Sequence, residues 1–265
     1  PFALRMDRFV VFCAGACLGS FINVVIYRLP RGQSLVFPGS RCPRCRKALR
    51  FYDNIPVFSW LLLAGRCRFC HRPISPRYPV VELIFACLSA ALWTHWQPYL
   101  YWSIAAILAA GVLMAVALID WDTFLIPDEL SLGLLAAGWL AAPINPFFAG
   151  SGPVAAVLLS LAGSLIGFVV GWVTAAAGEK IFKKEAMGGG DIKLLAAVGA
   201  WGGGLGAFDC LMIGSLIGSI YGAALMARGR LRRCDPIAFG PFLSAGAIFN
   251  LFWLLPLDFL ARLTW

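Results

Sequence analysis

Charge is scarce in this chain. Asp, Glu, Lys and Arg make up 13% of its 265 residues, hydrophobic residues make up 60%, and the mean hydropathy is +0.81. So little charge excludes an ordinary soluble domain and points to a membrane protein. The apolar segments recur along the whole length, so none is set apart as a removable secretory signal. The chain starts at Pro1 rather than Met, and its first residues are expected to have been lost or replaced.

Basic residues are missing from alternate connections between the apolar segments. Segments of about 20 apolar residues are long enough to cross a bilayer. Eight are expected, at about 6–27, 79–97, 99–119, 128–147, 153–178, 191–206, 207–227 and 239–260. Trp201-Gly202-Gly203-Gly204 interrupts the sixth, close to the seventh. The connections near 98, 143–152 and 202–206 carry no Lys or Arg. Half of all basic residues instead lie between Arg28 and Arg77, eleven against the single acid Asp53. That excess places the first loop in the cytoplasm. Alternation then puts 120–127, 179–190 and 228–236 on the same side, with Lys180, Lys183, Lys184, Arg228, Arg230, Arg232 and Arg233. Both termini fall outside; Arg5 and Arg8 run against this, outweighed by the large loop. The net charge of +9 is therefore mainly topological and does not indicate a nucleic-acid partner.

Gly163, Gly167 and Gly171, and again Gly214, Gly218 and Gly222, recur every four residues, which puts each set on one helix face for close helix packing. The shared string Gly-Ser-Leu-Ile-Gly is too short to establish a repeat.

The nine cysteines form two populations. Cys13, Cys17, Cys87, Cys210 and Cys234 lie in or beside apolar segments and read as small buried hydrophobes. Cys42-Pro43-Arg44-Cys45 and Cys67-Arg68-Phe69-Cys70 make a paired CxxC pattern with 21 residues between the pairs. Four thiolates on two knuckles suit tetrahedral zinc. Two disulfides are the alternative, disfavoured in a reducing cytoplasm. With four Cys ligands no position remains for an activated water, so the role is structural. His71 reads as a surface residue rather than a substitute ligand. Between the knuckles, Ile55–Leu63 is too apolar for a free loop, and is expected at the membrane interface with Trp60 as its anchor. The loop would form a zinc-clipped cap over the cytoplasmic ends of the helices.

Acids at membrane depth need a reason, because each costs a few kcal/mol. Asp191 follows Gly188-Gly189-Gly190, where glycines permit close backbone approach and conformations closed to other residues. Asp120 and Asp122 end the third segment on the same side. Two carboxylates brought together there match an aspartic-protease pair, which activates water and protonates the leaving amine. Asp120 and Asp122 compete for the second place. Asp122, Asp128 and Glu129 also read as solvated helix-end acids, the last two suiting a helix start after Pro127. Lys193 suits either an oxyanion or substrate contact or ordinary cytoplasmic placement. Glu82, just inside the second segment, is a candidate receiver of a basic peptide or amine; the alternative is a carboxylate snorkelling to the interface.

Six elements together resemble the type IV prepilin peptidases. They are Gly19–Pro30, the two CxxC pairs, Asp53–Trp60, Arg77–Glu82, the Asp120…Pro127-Asp128 element and Gly188–Lys193, in that family's order from about residue 15 to 240. The resemblance implies an intramembrane aspartic endopeptidase of the GxGD kind. Such an enzyme removes the basic leader of prepilins and pseudopilins after a glycine, at the cytoplasmic face of the bacterial inner membrane. It also implies N-methylation of the new N-terminus by S-adenosylmethionine, although no glycine-rich nucleotide fingerprint after a strand marks a methyl-donor site. The resemblance places the catalytic aspartates on Asp120 and Asp191, with Gly188, Gly189, Gly190 and Lys193 in support, and leaves Asp122 and Glu82 as substrate-binding candidates. Helix-end dipoles add an expectation that Asp191, at a helix start, is the resting carboxylate and Asp120, at a helix end, carries the shared proton.

The expected fold is thus all-α and polytopic, with about eight transmembrane helices. A first helix occupies 1–29, a small cytoplasmic zinc-binding loop of Cys42, Cys45, Cys67 and Cys70 occupies 30–78, and the remaining helices occupy 79–265. The peptidase core spans about 100–228. Prepilins and the lipid bilayer are the expected partners. A proton-coupled transporter is the alternative, weakened because paired broken helices at mid-membrane are lacking. A zinc-loop scaffold without catalysis is a third reading.

Overall fold

The structure, a computed structural model, describes residues 2–183, 187–232 and 235–255. Lys184, Arg233, Cys234 and the end of the expected eighth span lie outside the described residues. Among the described residues every regular element is a helix, apart from two isolated β-bridges in the cysteine loop. The chain divides into two compact units, 1–98 and 99–265.

The first unit pairs α1 (Phe2–Arg28) with α3 (Arg77–His95), and the cysteine loop joins them. The helices run antiparallel, with Gly15 facing Ser89, Gly19 facing Glu82, and Asn23 donating to the Tyr78 carbonyl at 3.2 Å. A Cβ on Gly15 would sit 2.7 Å from Ser89 Oγ, so small residues set how closely these helices pack. Cys13, Cys17 and Cys87 are exposed on this pair. That differs from the buried role expected of them; among the described cysteines of this apolar set, Cys210, in the second unit, is the buried one.

The second unit contains α4 (Leu100–Thr123), α5 (Asp128–Ala141), α6 (Pro153–Phe182), α7 (Gly189–Ala227) and α8 (Gly240–Asn250). By length and composition, α1, α3, α4, α6 and α7 can each cross a membrane. Helix α5 has 14 residues and α8 has 11, short of a full span. Helix α5 stops ahead of Pro143 and Pro146, which cannot continue it, so the expected segment to 147 is cut short.

Helix α7 has 39 residues, about 58 Å of helix and twice a bilayer's hydrocarbon thickness. It is not continuous. Gly203 takes φ 67 and ψ −170, outside the helical region. The Cβ direction of Gly206 comes within 3.9 Å of the Val198 carbonyl oxygen, whereas eight residues of unbroken helix rise about 12 Å. The chain therefore turns back at Gly203. Residues 189–202 lie antiparallel to α6, with Gly163, Gly167 and Gly171 facing Gly199, Leu195 and Ile192. Residues 204–227 lie antiparallel to α8, with Gly214 and Gly218 facing Leu243 and Phe242. Both glycine series thus serve helix packing, as their spacing predicts.

Candidate active site and metal centre

Asp120 occupies the last turn of α4. That helix ends at Phe124, whose left-handed φ of 55 brings its N–H back to the Asp120 carbonyl at 2.8 Å. The Asp120 side chain is buried, and its Oδ2 accepts the Gly240 N–H at 2.8 Å. Gly240 is the first residue of α8, so three elements of one unit converge here: the end of α4, the start of α7 and the start of α8.

Asp191 lies in the first turn of α7 and is also buried. Its Oδ2 accepts the Gly188 N–H at 3.2 Å, while the Gly188 carbonyl accepts the Asp191 N–H at 3.1 Å. Its Oδ1 is buried with no hydrogen-bond partner. The charge of Asp120 acts on Asp191, which places the two carboxylates within electrostatic reach. Each is held through one oxygen by one glycine N–H. The expected dipole asymmetry is thereby reduced, because Asp120 ends α4 but also faces the N-terminus of α8.

None of the three glycines before Asp191 takes a positive φ. Gly188 is an extended N-cap, Gly189 meets nothing nearby, and only Gly190 makes a close approach, where a Cβ would lie 2.9 Å from Ile126 Cβ. Lys193, two residues on, binds both oxygens of Asp128 at 2.7 and 2.8 Å and so ties the start of α5 to α7. Asp122 is exposed in the last turn of α4, apart from the buried pair.

Glu82 belongs to the first unit. It is buried, and its Oε2 accepts the Val57 N–H at 2.7 Å; the Ser20 side chain also bonds it. Val57 takes φ 61 and ψ −53 while the Phe58 N–H closes a three-residue turn on the Pro56 carbonyl at 2.6 Å. A β-branched residue there is strained. Glu82 thus clips that turn to α3. Trp60 has partners within the loop itself. Its Nε1 donates to the Ile74 carbonyl at 3.1 Å and its ring packs on Gly65, while Phe58, Leu61 and Leu62 of α2 (Phe58–Leu62) are exposed.

The four loop cysteines form two similar turns. Cys42 N–H bonds the Lys47 carbonyl and Arg46 N–H bonds the Cys42 carbonyl; Cys67 with Arg72, and His71 with Cys67, repeat the pattern. Arg46 and His71 both take left-handed φ, 57 and 54. All four are free thiols, and their Sγ atoms lie within 4.8 Å of one another, Cys42 and Cys70 at 3.9 Å. Tetrahedral zinc with Zn–S bonds of about 2.3 Å requires S···S separations of about 3.8 Å, so the donor set fits the metal. The Cys70 N–H, with that of Phe69, lowers the Cys67 thiol to about 7 against the opposing effect of burial, whereas at Cys70 the Arg72 backbone bond is outweighed by burial and the neighbouring sulfurs, which raise that thiol to about 11. His71 stands outside the cluster and is exposed. Arg68 binds Asp53 at 2.7 Å and braces the second turn against 51–54.

Two buried polar groups escaped the sequence reading. Gly240 carries no side chain and gave no signal. Asp209, inside the apolar stretch 206–213, was legible as an acid at membrane depth. It is buried, and its Oδ2 accepts the Leu255 N–H at 2.8 Å, which holds the chain after α8 against the second half of α7.

Comparison with known proteins agrees with this geometry. Residues 13–96 match the bacterial peptidase A24 N-terminal domain, and 107–223 match the type IV leader peptidase family. A prepilin leader peptidase/N-methyltransferase of Aeromonas hydrophila is 37% identical over 268 residues, covering 92% of this chain and 90% of the relative. Proteins of the same description from Stutzerimonas stutzeri and Pectobacterium carotovorum are 35% and 37% identical, each covered over 90% of its length. No solved structure matches the chain. The first match holds the cysteine loop, and the second holds both buried aspartates with the α4, α5 and α7 elements that carry them: the chain belongs to the type IV leader peptidase family.

Proposed function

We infer that this chain is a membrane-embedded aspartic endopeptidase that removes the leader of type IV prepilins and pseudopilins, and N-methylates the new N-terminus. The observation that carries the peptidase reading is the pair of buried carboxylates, Asp120 and Asp191, within electrostatic reach in the segment that matches the leader peptidases. In that role one carboxylate takes a proton from water as it attacks the scissile carbonyl, and the other protonates the departing amine. Gly188 holds Asp191, and Lys193, held by Asp128, fixes the α5–α7 junction beside it. The transporter alternative has no support among the relatives, which are named as peptidases.

The eight-pass arrangement counts α7 as two passes and adds α5 and α8 to the four other long helices. Together with the basic first loop, it argues for a dyad at the cytoplasmic face of the bacterial inner membrane, where a basic leader would approach. Zinc held by Cys42, Cys45, Cys67 and Cys70 would tie the two turns of the loop together. Between those turns, exposed Phe58, Leu61 and Leu62 suit the headgroup boundary, at a depth set by Glu82 about 7 Å along α3 from its start. S-adenosylmethionine is the methyl donor this reading requires; we assign no residues to it.

The test is cleavage of a prepilin by the purified wild type and by Asp120→Asn, Asp122→Asn and Asp191→Asn variants of matched thermal stability. Loss in the 120 and 191 variants alone supports the dyad. Full activity in either one removes it.

A further inference from the structure

Residues beyond 223 fall outside the matched family segment, yet α8 begins against Asp120. We propose that Gly240 is a positioning residue of the peptidase site, setting Asp120 through its backbone N–H and through having no side chain. The proposal rests on Asp120 being a member of the dyad.

Two independent observations carry it. The first is the hydrogen bond from the Gly240 N–H to Asp120 Oδ2, 2.8 Å long and buried. An amide in the first turn of a helix has no partner within its own helix, so this donor is free to serve a side chain from elsewhere. The bond occupies one carboxylate oxygen and leaves the other for chemistry. The second is steric. A Cβ at position 240 would lie 2.7 Å from Asp120 Oδ2, 3.0 Å from Cγ and 3.1 Å from Cβ. Asp120 cannot give way as an exposed side chain would, because it is buried in the last turn of α4. Any side chain at 240 therefore displaces the carboxylate or pushes α8 off α4.

The same arrangement holds the partner acid. Asp191 receives the Gly188 N–H through one oxygen and keeps the other without a partner. Each carboxylate is thus oriented by one glycine amide at a helix start, α7 for Asp191 and α8 for Asp120. The second of these glycines lies 120 residues from the acid it holds. Phe239-Gly240-Pro241 accordingly has a role in the site: Pro241 is accommodated in the first helical turn, where no amide hydrogen is needed, and Gly240 presents its own amide to Asp120.

The test separates positioning from folding by using both activities of the enzyme. With Gly240→Ala, kcat for leader cleavage is expected to fall about 100-fold, the scale of a misplacement of about 1 Å. KM should stay within about twofold, the pH profile of cleavage should shift, and methylation of a precut pilin should be retained. Gly246→Ala is the control on the same helix; its Cβ would meet the Cys210 backbone at 2.8 Å, so it should lower Tm while folded enzyme still cleaves. A second measurement does not depend on Gly240→Ala folding. The Gly240 amide should resist hydrogen exchange in the wild type and lose that protection in Asp120→Ala, while Leu243 keeps its own. Wild-type cleavage by Gly240→Ala, a parallel loss of cleavage and methylation, or unchanged protection in Asp120→Ala would overturn the proposal. If Asp120→Asn itself cleaves normally, the dyad fails instead, and Gly240 has nothing to position.

Discussion

Asp191→Asn should abolish cleavage and make the protein more stable. The substitution keeps the shape of the side chain and leaves an amide oxygen to accept the Gly188 N–H. What it removes is the proton-transfer group. General acid–base catalysis contributes about 10²–10⁴ in rate, so cleavage should fall at least that far, about 3–5 kcal/mol of barrier. Stability is set by two opposing effects. Asp191 is an acid in the first turn of α7, and losing its charge there forfeits about 0.5–1 kcal/mol of interaction with the helix dipole. Against that, two carboxylates within electrostatic reach of each other repel by on the order of 2 kcal/mol at an effective dielectric of about 20, part of which a shared proton already relieves. Oδ1 of Asp191 also has no hydrogen-bond partner to offset its burial. The relief should exceed the dipole loss by about 1 kcal/mol, raising Tm by about 2–4 °C. The assay is thermal unfolding in detergent alongside prepilin cleavage, for wild type and variant in one preparation. A lower Tm together with lost cleavage would refute the reasoning, because Asp191 would then be a helix cap whose charge supports the fold.

Three further outcomes follow from the contacts. Stripping metal with a chelator, or Cys67→Ser, should open the two loop turns to protease between residues 41 and 73 while α4–α8 keep their helical signal; an unchanged digestion pattern would contradict a metal-held loop. Glu82→Ala removes the acceptor of the Val57 N–H and leaves that donor unsatisfied, at a cost of about 1–3 kcal/mol. Faster hydrogen exchange confined to 55–63 is expected, and unaltered exchange there would show that the turn holds itself. Gly163→Ala drives a Cβ into the Gly199 carbonyl and the Gly203 backbone, so α6 and α7 must separate. A loss of about 1–3 kcal/mol is expected, read as a lower Tm, and a variant as stable as wild type would contradict the close crossing.

Sequence showed what side chains announce and missed what backbone amides do. The paired CxxC turns were legible because all four cysteines fall within short local turns, and the buried acids because a carboxylate in an apolar stretch demands a partner. Asp191 could therefore be read as needing a partner acid, while the choice of Asp120 over Asp122 rested on the resemblance to the prepilin peptidases. The break in α7 was visible as Trp201-Gly202-Gly203-Gly204. Gly203 alone supplies the positive φ, and the turn back there follows from its backbone. Other parts were hidden for one physical reason. Val57 to Glu82, Gly240 to Asp120 and Leu255 to Asp209 are each a backbone N–H donated to a distant carboxylate. Every residue except proline carries that donor, so the donor's identity tells nothing. Trp60 shows the same limit from the other side: its indole N–H donates to a carbonyl of its own loop, Ile74, a partner the sequence does not name.

These three bonds share an energetic logic that bears on function. An isolated carboxylate at membrane depth is costly, and a single amide donor offsets only part of that cost. Glu82 and Asp209 each receive such a donor and tie down a turn or a chain end. Asp120 and Asp191 receive one donor apiece as well, yet they are placed where each feels the other. A pair held under that mutual penalty supports the proposed dyad, since packing alone would favour replacing either acid with a neutral side chain. The same comparison predicts how variants should sort. Removing the acceptor, as Glu82→Ala or Asp209→Ala, should cost stability, because each carboxylate's hydrogen bond holds part of the fold. Neutralising Asp191 should cost catalysis and return stability. Measured side by side, a loss of stability in all three would place Asp191 with the structural acids and remove the energetic argument for the dyad.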